Sequence, residues 1–213
     1  RAQPSSLLTI TPQPDRTNLP LSSAQRRLWF IEQMLEGKTV YNNLKVLRAK
    51  GGFDVDVAEQ AVQKIVQRHE SLRTVFIHEG QDLQQVIQQD YRFHISRYDL
   101  STISTDAQKQ RVSDIVENYR NKTFDLSSDL MIRVGHIKVS DTEAIIIFNI
   151  HHIASDGWSM GVLVKEFMAF YEAILNNASD PLPPLKVQYG DYACWQNEFF
   201  NSELVTKQLD FWT

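Results

Sequence analysis

A single cysteine, Cys194, in 213 residues excludes an intrachain disulfide framework. No apolar run approaches the ~18 residues of a membrane-spanning helix. The first residues lack the basic-then-apolar pattern of a secretory signal. Basic blocks are missing too: 22 Lys and Arg stand against 26 Asp and Glu, a net charge of −4, which argues against nucleic acid as the main partner. Proline is scarce after the beginning, with four of the seven at Pro4, Pro12, Pro14 and Pro20. There is no internal repeat. These absences lead us to expect a soluble cytoplasmic protein with neither a membrane nor a nucleic-acid partner.

The residues present suffice for a packed core, at 42% hydrophobic and 10% aromatic. The length suits one or two domains. Residues 1–20, rich in Pro, Ser, Thr and Gln, read as an extended linker. A helix is expected from an N-cap at Ser22 to about Met34, and a strand from Val40 to Ala49. Asp54–Arg68 places Val57, Ala61, Val62, Ile65 and Val66 on one helical face. Leu72–His78 and Leu83–Ile87 read as a hairpin around Glu79-Gly80, and Tyr91–Tyr98 as a further strand. Asp106–Lys122 is helical, with Val112, Ile115, Val116 and Tyr119 inward. Leu130–Val139 and Glu143–Ile150 form a second hairpin around Ser140–Thr142. A helix from Ser159 to Ala178, a loop over Asn176–Pro184, and helices at Gln188–Phe200 and Glu203–Trp212 complete the chain. Irregular alternation with antiparallel hairpins favours a two-layer α/β sandwich over a doubly wound sheet.

The segment His151-His152-Ile153-Ala154-Ser155-Asp156-Gly157-Trp158-Ser159 concentrates the chemistry. It follows Ala144–Ile150, an apolar run expected of a strand buried on both faces. Imidazoles at a strand end, just ahead of a helix, occupy a place where α/β proteins tend to put reactive groups. Neighbours on a strand point to opposite faces, so His151 and His152 do not readily share one metal ion, and no Cys or acidic cluster completes a ligand set. Opposite faces imply different tasks, one imidazole toward a reaction channel and one packed inside. The alternative is two strand-end histidines bonded to backbone. Asp156 suits an N-cap or turn. Gly157 either is a turn glycine or admits a substrate close to the backbone, with its N–H free to donate to a developing oxyanion. Trp158 reads as packing and Ser159 as a helix start. Arg26 and Arg27 read as exposed and Trp29 as core. His69 and Glu70 fit either polar contacts beneath the site or a solvated helix end. Cys194, between Ala193 and Trp195, reads as a buried structural thiol.

His151–Gly157 resembles the HHxxxDG motif of nonribosomal peptide synthetase condensation domains, within the chloramphenicol acetyltransferase-like superfamily. Ser22–Phe30 resembles the family's first core motif, Arg68–Phe76 its second, and Tyr189–Trp195 its fourth. The resemblance implies a chloramphenicol acetyltransferase-like lobe with a mixed, largely antiparallel sheet and flanking helices. It makes 1–20 a linker, 21–178 the N-terminal lobe, and 179–213 the loop and helices at the lobe junction. The chain then lacks a C-terminal lobe, in keeping with an end at Trp212-Thr213 inside an expected helix, and is itself inactive.

The implied reaction is amide formation between a donor acyl or peptidyl thioester and an acceptor aminoacyl thioester. The partners are donor and acceptor carrier-protein domains bearing phosphopantetheine, the second lobe, and an adjacent adenylation domain. No cofactor is held by the chain. His152 takes the channel-facing role, and Asp156 pairs structurally with an arginine of the second motif, Arg73 in preference to Arg68. Joining of an L-donor to an L-acceptor is the subtype most resembled. Epimerisation, a coenzyme A-dependent acyltransferase and a non-catalytic carrier-docking module are the alternatives; an aspartate-rich motif would mark heterocyclisation, and it is missing.

Overall fold

A computed structural model describes residues 9–34, 39–80 and 82–202. In chain order the elements are β1 (Leu19–Pro20), α1 (Ser23–Met34), β2 (Asn42–Lys50), α2 (Val55–Arg68) and a 3-10 turn (Glu70–Arg73). There follow β3 (Thr74–Glu79), β4 (Asp82–Ile87), β5 (Ser96–Asp99), α3 (Thr105–Asn121) and β6 (Ile132–Ser140). The last are β7 (Glu143–His151), α4 (Gly157–Leu175) and α5 (Tyr189–Phe200). The expected helix at Glu203–Trp212 and residues 1–8 of the expected linker lie outside the described residues.

The larger sheet has the order β2-β7-β6-β5. β2 and β6 flank β7 antiparallel, and β5 joins β6 in parallel, so the sheet is mixed and largely antiparallel as expected. Side-chain alternation along β7 divides its apolar run between two cores. Ile146, Phe148 and Ile150 pack with Ala58, Ala61, Val62 and Ile65 of α2 and with Leu163, Phe167 and Phe170 of α4. Ile145 and Ile147 turn the other way, toward Ile115 and Tyr119 of α3. Helices thus cover both faces of β7, which explains a strand with no polar alternation.

A smaller antiparallel sheet, β1-β4-β3, stands beside the first. Leu21, Phe76, Phe124, Leu126, Met131 and Ile153 form a third cluster, with Leu28 and Trp29 of α1 packed against it. Ile153 belongs to the turn after β7, so this cluster anchors the histidine segment from below.

Several local expectations need correction. Leu72 and Arg73 belong to the 3-10 turn, and β3 starts at Thr74. Of Tyr91–Tyr98, only Ser96–Tyr98 enters a strand; Phe93 and Ile95 are buried without a ladder partner strand. In α2 the fully buried face contains Ala58, with Val57 half-buried. Part of the stretch read as linker is docked. Gln13 N–H donates to Asp191, Arg16 pairs with Glu70 and Asp191, and Leu19 and Pro20 pair with β4. Among the described residues no helix is long and apolar enough to cross a membrane.

Candidate active site

β7 ends at His151, and a short connection leads into α4 at Gly157. His151 is 1% exposed. Its ring meets Phe124 edge-on, at 5.7 Å between centroids, and lies 6.3 Å from Tyr41. Nδ1 of His151 accepts the Ile153 backbone N–H at 3.1 Å. A nitrogen that accepts carries no proton, so the neutral ring has its proton on Nε2. Burial pushes the imidazole pKa down to about 4, reinforced by His152 and Arg133, so the neutral form holds near pH 7.

His152 begins the turn and is half-buried. Its backbone N–H donates to Tyr41 O at 2.8 Å, an extension of the β2–β7 ladder that fixes where the ring starts. Its Nδ1 lies 3.2 Å from the backbone oxygen of Ser155. A carbonyl only accepts, so Nδ1 is the donor, and in the neutral ring the lone pair is on Nε2. Among the described residues Nε2 has no hydrogen-bond partner. As neutral rings the two adjacent imidazoles therefore hold opposite tautomers: His151 is a sealed Nε2–H ring, and His152 has Nδ1–H on Ser155 O. As strand alternation leads one to expect, the two rings have different surroundings, His151 packed inside and His152 half-buried.

Asp156 does not pair with Arg73 or Arg68. It is the exposed N-cap of α4, accepting Ser159 N–H at 2.8 Å and the Ser159 hydroxyl at 2.6 Å. That hydroxyl, then the backbone N–H, hold its carboxyl below the usual carboxylate range. Arg73 ends the 3-10 turn and reaches Gln88 O at 2.8 Å, with its guanidinium 5.8 Å from the Tyr91 ring centroid. Arg68 binds Glu166 at 3.1 Å and Pro183 O at 2.6 Å. The brace is thus a capping box rather than a buried ion pair. Gly157 opens α4 with free space where a Cβ would stand. Trp158 is not packed inside the chain; it is 83% exposed.

Beside the turn, between α2 and α4, lies a cleft of about 140 Å³ lined partly by Ile65, His69, Leu72, Ser155, Trp158 and Val162. A larger hollow of about 270 Å³, edged by Arg92, Tyr98, Tyr119 and Arg133, contains neither histidine of the motif. His69 contacts Glu166 at 2.6 Å, joining Arg68 in one polar cluster beneath the cleft. Arg26 and Arg27 are exposed, and Trp29 packs on the third core cluster. Cys194 is half-buried, and burial, then Glu198 and Asp191, raise its thiol pKa, away from nucleophilic use. Among the described residues no three His, Cys, Asp or Glu side chains group as a metal site. Glu32 of α1, for which the sequence alone offers no signal, approaches His151 Nε2 at 3.8 Å.

Comparison with known proteins gives one consistent result. Residues 15–213 match the model of the condensation domain. The chain is 34% identical over 207 residues to one of the linear gramicidin synthase proteins of Brevibacillus parabrevis, covering 97% of this chain and 4% of that one. Against surfactin synthase subunit 1 of Bacillus subtilis it is 35% identical over 212 residues, 99% of this chain and 6% of the relative. The X-domain from teicoplanin biosynthesis superposes with a TM-score of 0.83 at 25% identity, over 96% of this chain and 44% of that one. The starter condensation domain of rhizomide synthetase RzmA shares the fold, with a TM-score of 0.81 at 19% identity over 92% of this chain and 49% of its own. The chain therefore spans a few per cent of these synthetases and under half of these solved chains.

Proposed function

The chain belongs to the condensation-domain family of nonribosomal peptide synthetases, and from that premise we propose that its parent domain forms an amide between two carrier-bound substrates. The acceptor's α-amine attacks the donor thioester carbonyl. A C–N bond forms, the C–S bond breaks, and the thiolate of the donor's phosphopantetheine leaves. An α-amine titrates near ~8, so a useful neutral fraction exists at neutral pH. After attack the nitrogen is cationic and must shed a proton. The observation that carries the reading is the contact of His152 Nδ1 with Ser155 O: in the neutral ring it leaves Nε2 able to orient the amine and then take its proton. Gly157 N–H, at the head of α4, is the candidate donor to the oxyanion.

On this reading the partners are donor and acceptor carrier domains, a second lobe and an adenylation domain, in the cytoplasm, and the chain holds no cofactor of its own. A second reading, an interaction module without catalysis, draws on the likeness to the X-domain, which forms a complex with OxyB in teicoplanin biosynthesis. The test is an assay of the parent domain with two loaded carrier proteins, scored by mass spectrometry for a new amide on the acceptor. Amide product supports condensation. Acceptor left unchanged, with carrier binding intact, selects the interaction module.

A further inference from the structure

Two buried polar atoms face each other with no other partner. Glu32 Oε2 and His151 Nε2 are each shielded from solvent and make no hydrogen bond among the described residues. They lie 3.8 Å apart, about one ångström beyond hydrogen-bond length. Buried polar atoms are nearly always satisfied, and an exception asks for an explanation. His151 Nδ1 is committed to Ile153 N–H, so Nε2 must present a proton. Glu32 Oε2, itself unpaired, is an acceptor that a shift of about one ångström would bring into bonding distance.

We propose that Glu32 is a positioning residue for His152, accepting the Nε2 proton of His151 and thereby locking the turn that holds the His152 ring. The connection runs through atoms on one short path. Glu32 fixes the His151 ring, and the His151 ring holds Ile153 N–H. Ala154 N–H and the Ser155 hydroxyl return to His151 O at 3.0 and 3.3 Å. Ser155 O then fixes the His152 tautomer. Losing the Glu32 acceptor frees the His151 ring to rotate, and a rotated ring releases Ile153 N–H. The turn then has two arrangements, and His152 loses its single orientation. Burial raises the Glu32 carboxyl pKa, but either protonation state leaves an oxygen lone pair for the Nε2–H, so the role does not require a carboxylate.

The catalytic use of His152 comes from the proposed function, but the positioning role can be tested without it. Histidine side-chain nitrogen NMR of the chain reads each tautomer directly. The wild type should show His151 as Nε2–H and His152 as Nδ1–H. Glu32→Ala should turn His152 into a mixture of tautomers while His94, remote and bonded to Glu59, keeps its signals. Glu32→Gln, whose carboxamide oxygen also accepts, should restore the wild-type pattern with a shifted His151 Nε2–H resonance. If Glu32→Ala does not fold, Glu32→Gln decides alone: an unmoved Nε2–H resonance means no contact and overturns the proposal. A His151 Nδ1–H tautomer in the wild type, or an undisturbed His152 in Glu32→Ala, overturns it as well. In the parent domain, Glu32→Ala should lower kcat roughly tenfold with KM for both carriers unchanged, a fraction of the ~10²-fold expected of the group it positions. Normal tautomer behaviour with no amide synthesis in any variant would sink the condensation reading and leave the positioning role standing.

Discussion

His152 and His151 sit one residue apart and are asked for opposite properties, and the variants should separate them. In the parent domain His152→Ala should lose at least about 10²-fold in amide synthesis, with its melting temperature near wild type, because the ring is half-buried and its removal opens no cavity in the core. Turnover close to normal would remove it from the chemistry. His151 acts through stability, and its pH dependence has a definite sign. Above pH 6.5 both folded and unfolded chains hold a neutral imidazole, and the group is silent. Between 6.5 and about 4 the unfolded chain takes up a proton that the folded one refuses, so stability falls as pH falls, by up to about 3 kcal/mol. Glu32 opposes this, since burial raises its pKa: its contribution is full below the unfolded carboxyl's pKa and is lost as pH rises through the folded value. The difference between wild-type and His151→Asn urea midpoints across pH 4–8 isolates the histidine; a constant difference would refute the assignment. Asp156→Ala should cost about 1 kcal/mol, the value of an N-cap, not the ~3–5 kcal/mol of a broken buried pair. That the two histidines meet different surroundings was legible in the sequence because period-two alternation is local. The partner of Asp156 was not, because the arginine's reach depends on where the 3-10 turn sends it.

At the scale of elements, the parts readable in advance are those set by a single periodicity. α2 declares its buried face, and β7 declares its double burial, by residues within one turn or one pleat. The short parallel strand β5 was misplaced toward Tyr91 because four residues with one half-buried side chain give no alternation to read. Its position comes from the register with Gly135–Lys138 of β6, a long-range fact. The division of strands into two sheets is equally non-local. Packing between elements yields a sharp prediction at Gly135. A Cβ there would stand 2.7 Å from the Tyr119 hydroxyl and 2.8 Å from its ring carbon Cζ. Tyr119 is 6% exposed and bonds Val134 O at 3.2 Å, so it cannot swing aside. Gly135→Ala should therefore lower stability by about 1–3 kcal/mol through overpacking of α3 on β6. Pairing it with Tyr119→Val should recover part of the loss in a thermal melt; no recovery would place the cost elsewhere.

On the scale of the whole molecule, segments far apart in sequence meet in one polar knot. Arg16 pairs with Glu70 and with Asp191, and Asp191 also accepts Gln13 N–H and Gln188 N–H. Gln188 in turn accepts Glu70 N–H and donates to Arg68 O. The knot ties the N-terminal segment, the end of α2 and α5 together, which gives the second and fourth motifs a structural reason to exist. It leaves His152 at the surface, on a half-buried turn beside an 83% exposed Trp158. Fixed donors at such an open site act in a medium close to water, where they are worth far less than in an enclosed one. On the proposed function, two pantetheine arms would be poorly aligned at so exposed a turn, and alignment supplies a large share of the rate. The 213 residues alone should then fold cooperatively yet make no detectable amide from two loaded carriers. The same residues within a chain of the length of the solved neighbours, of which this one covers 44–49%, should be active. In the longer chain the Trp158 part of the fluorescence, read as the difference from Trp158→Phe, should shift to the blue if that surface becomes covered. Amide synthesis by the 213 residues at a rate near that of the longer chain would show that the exposed turn is sufficient, and that enclosure contributes little.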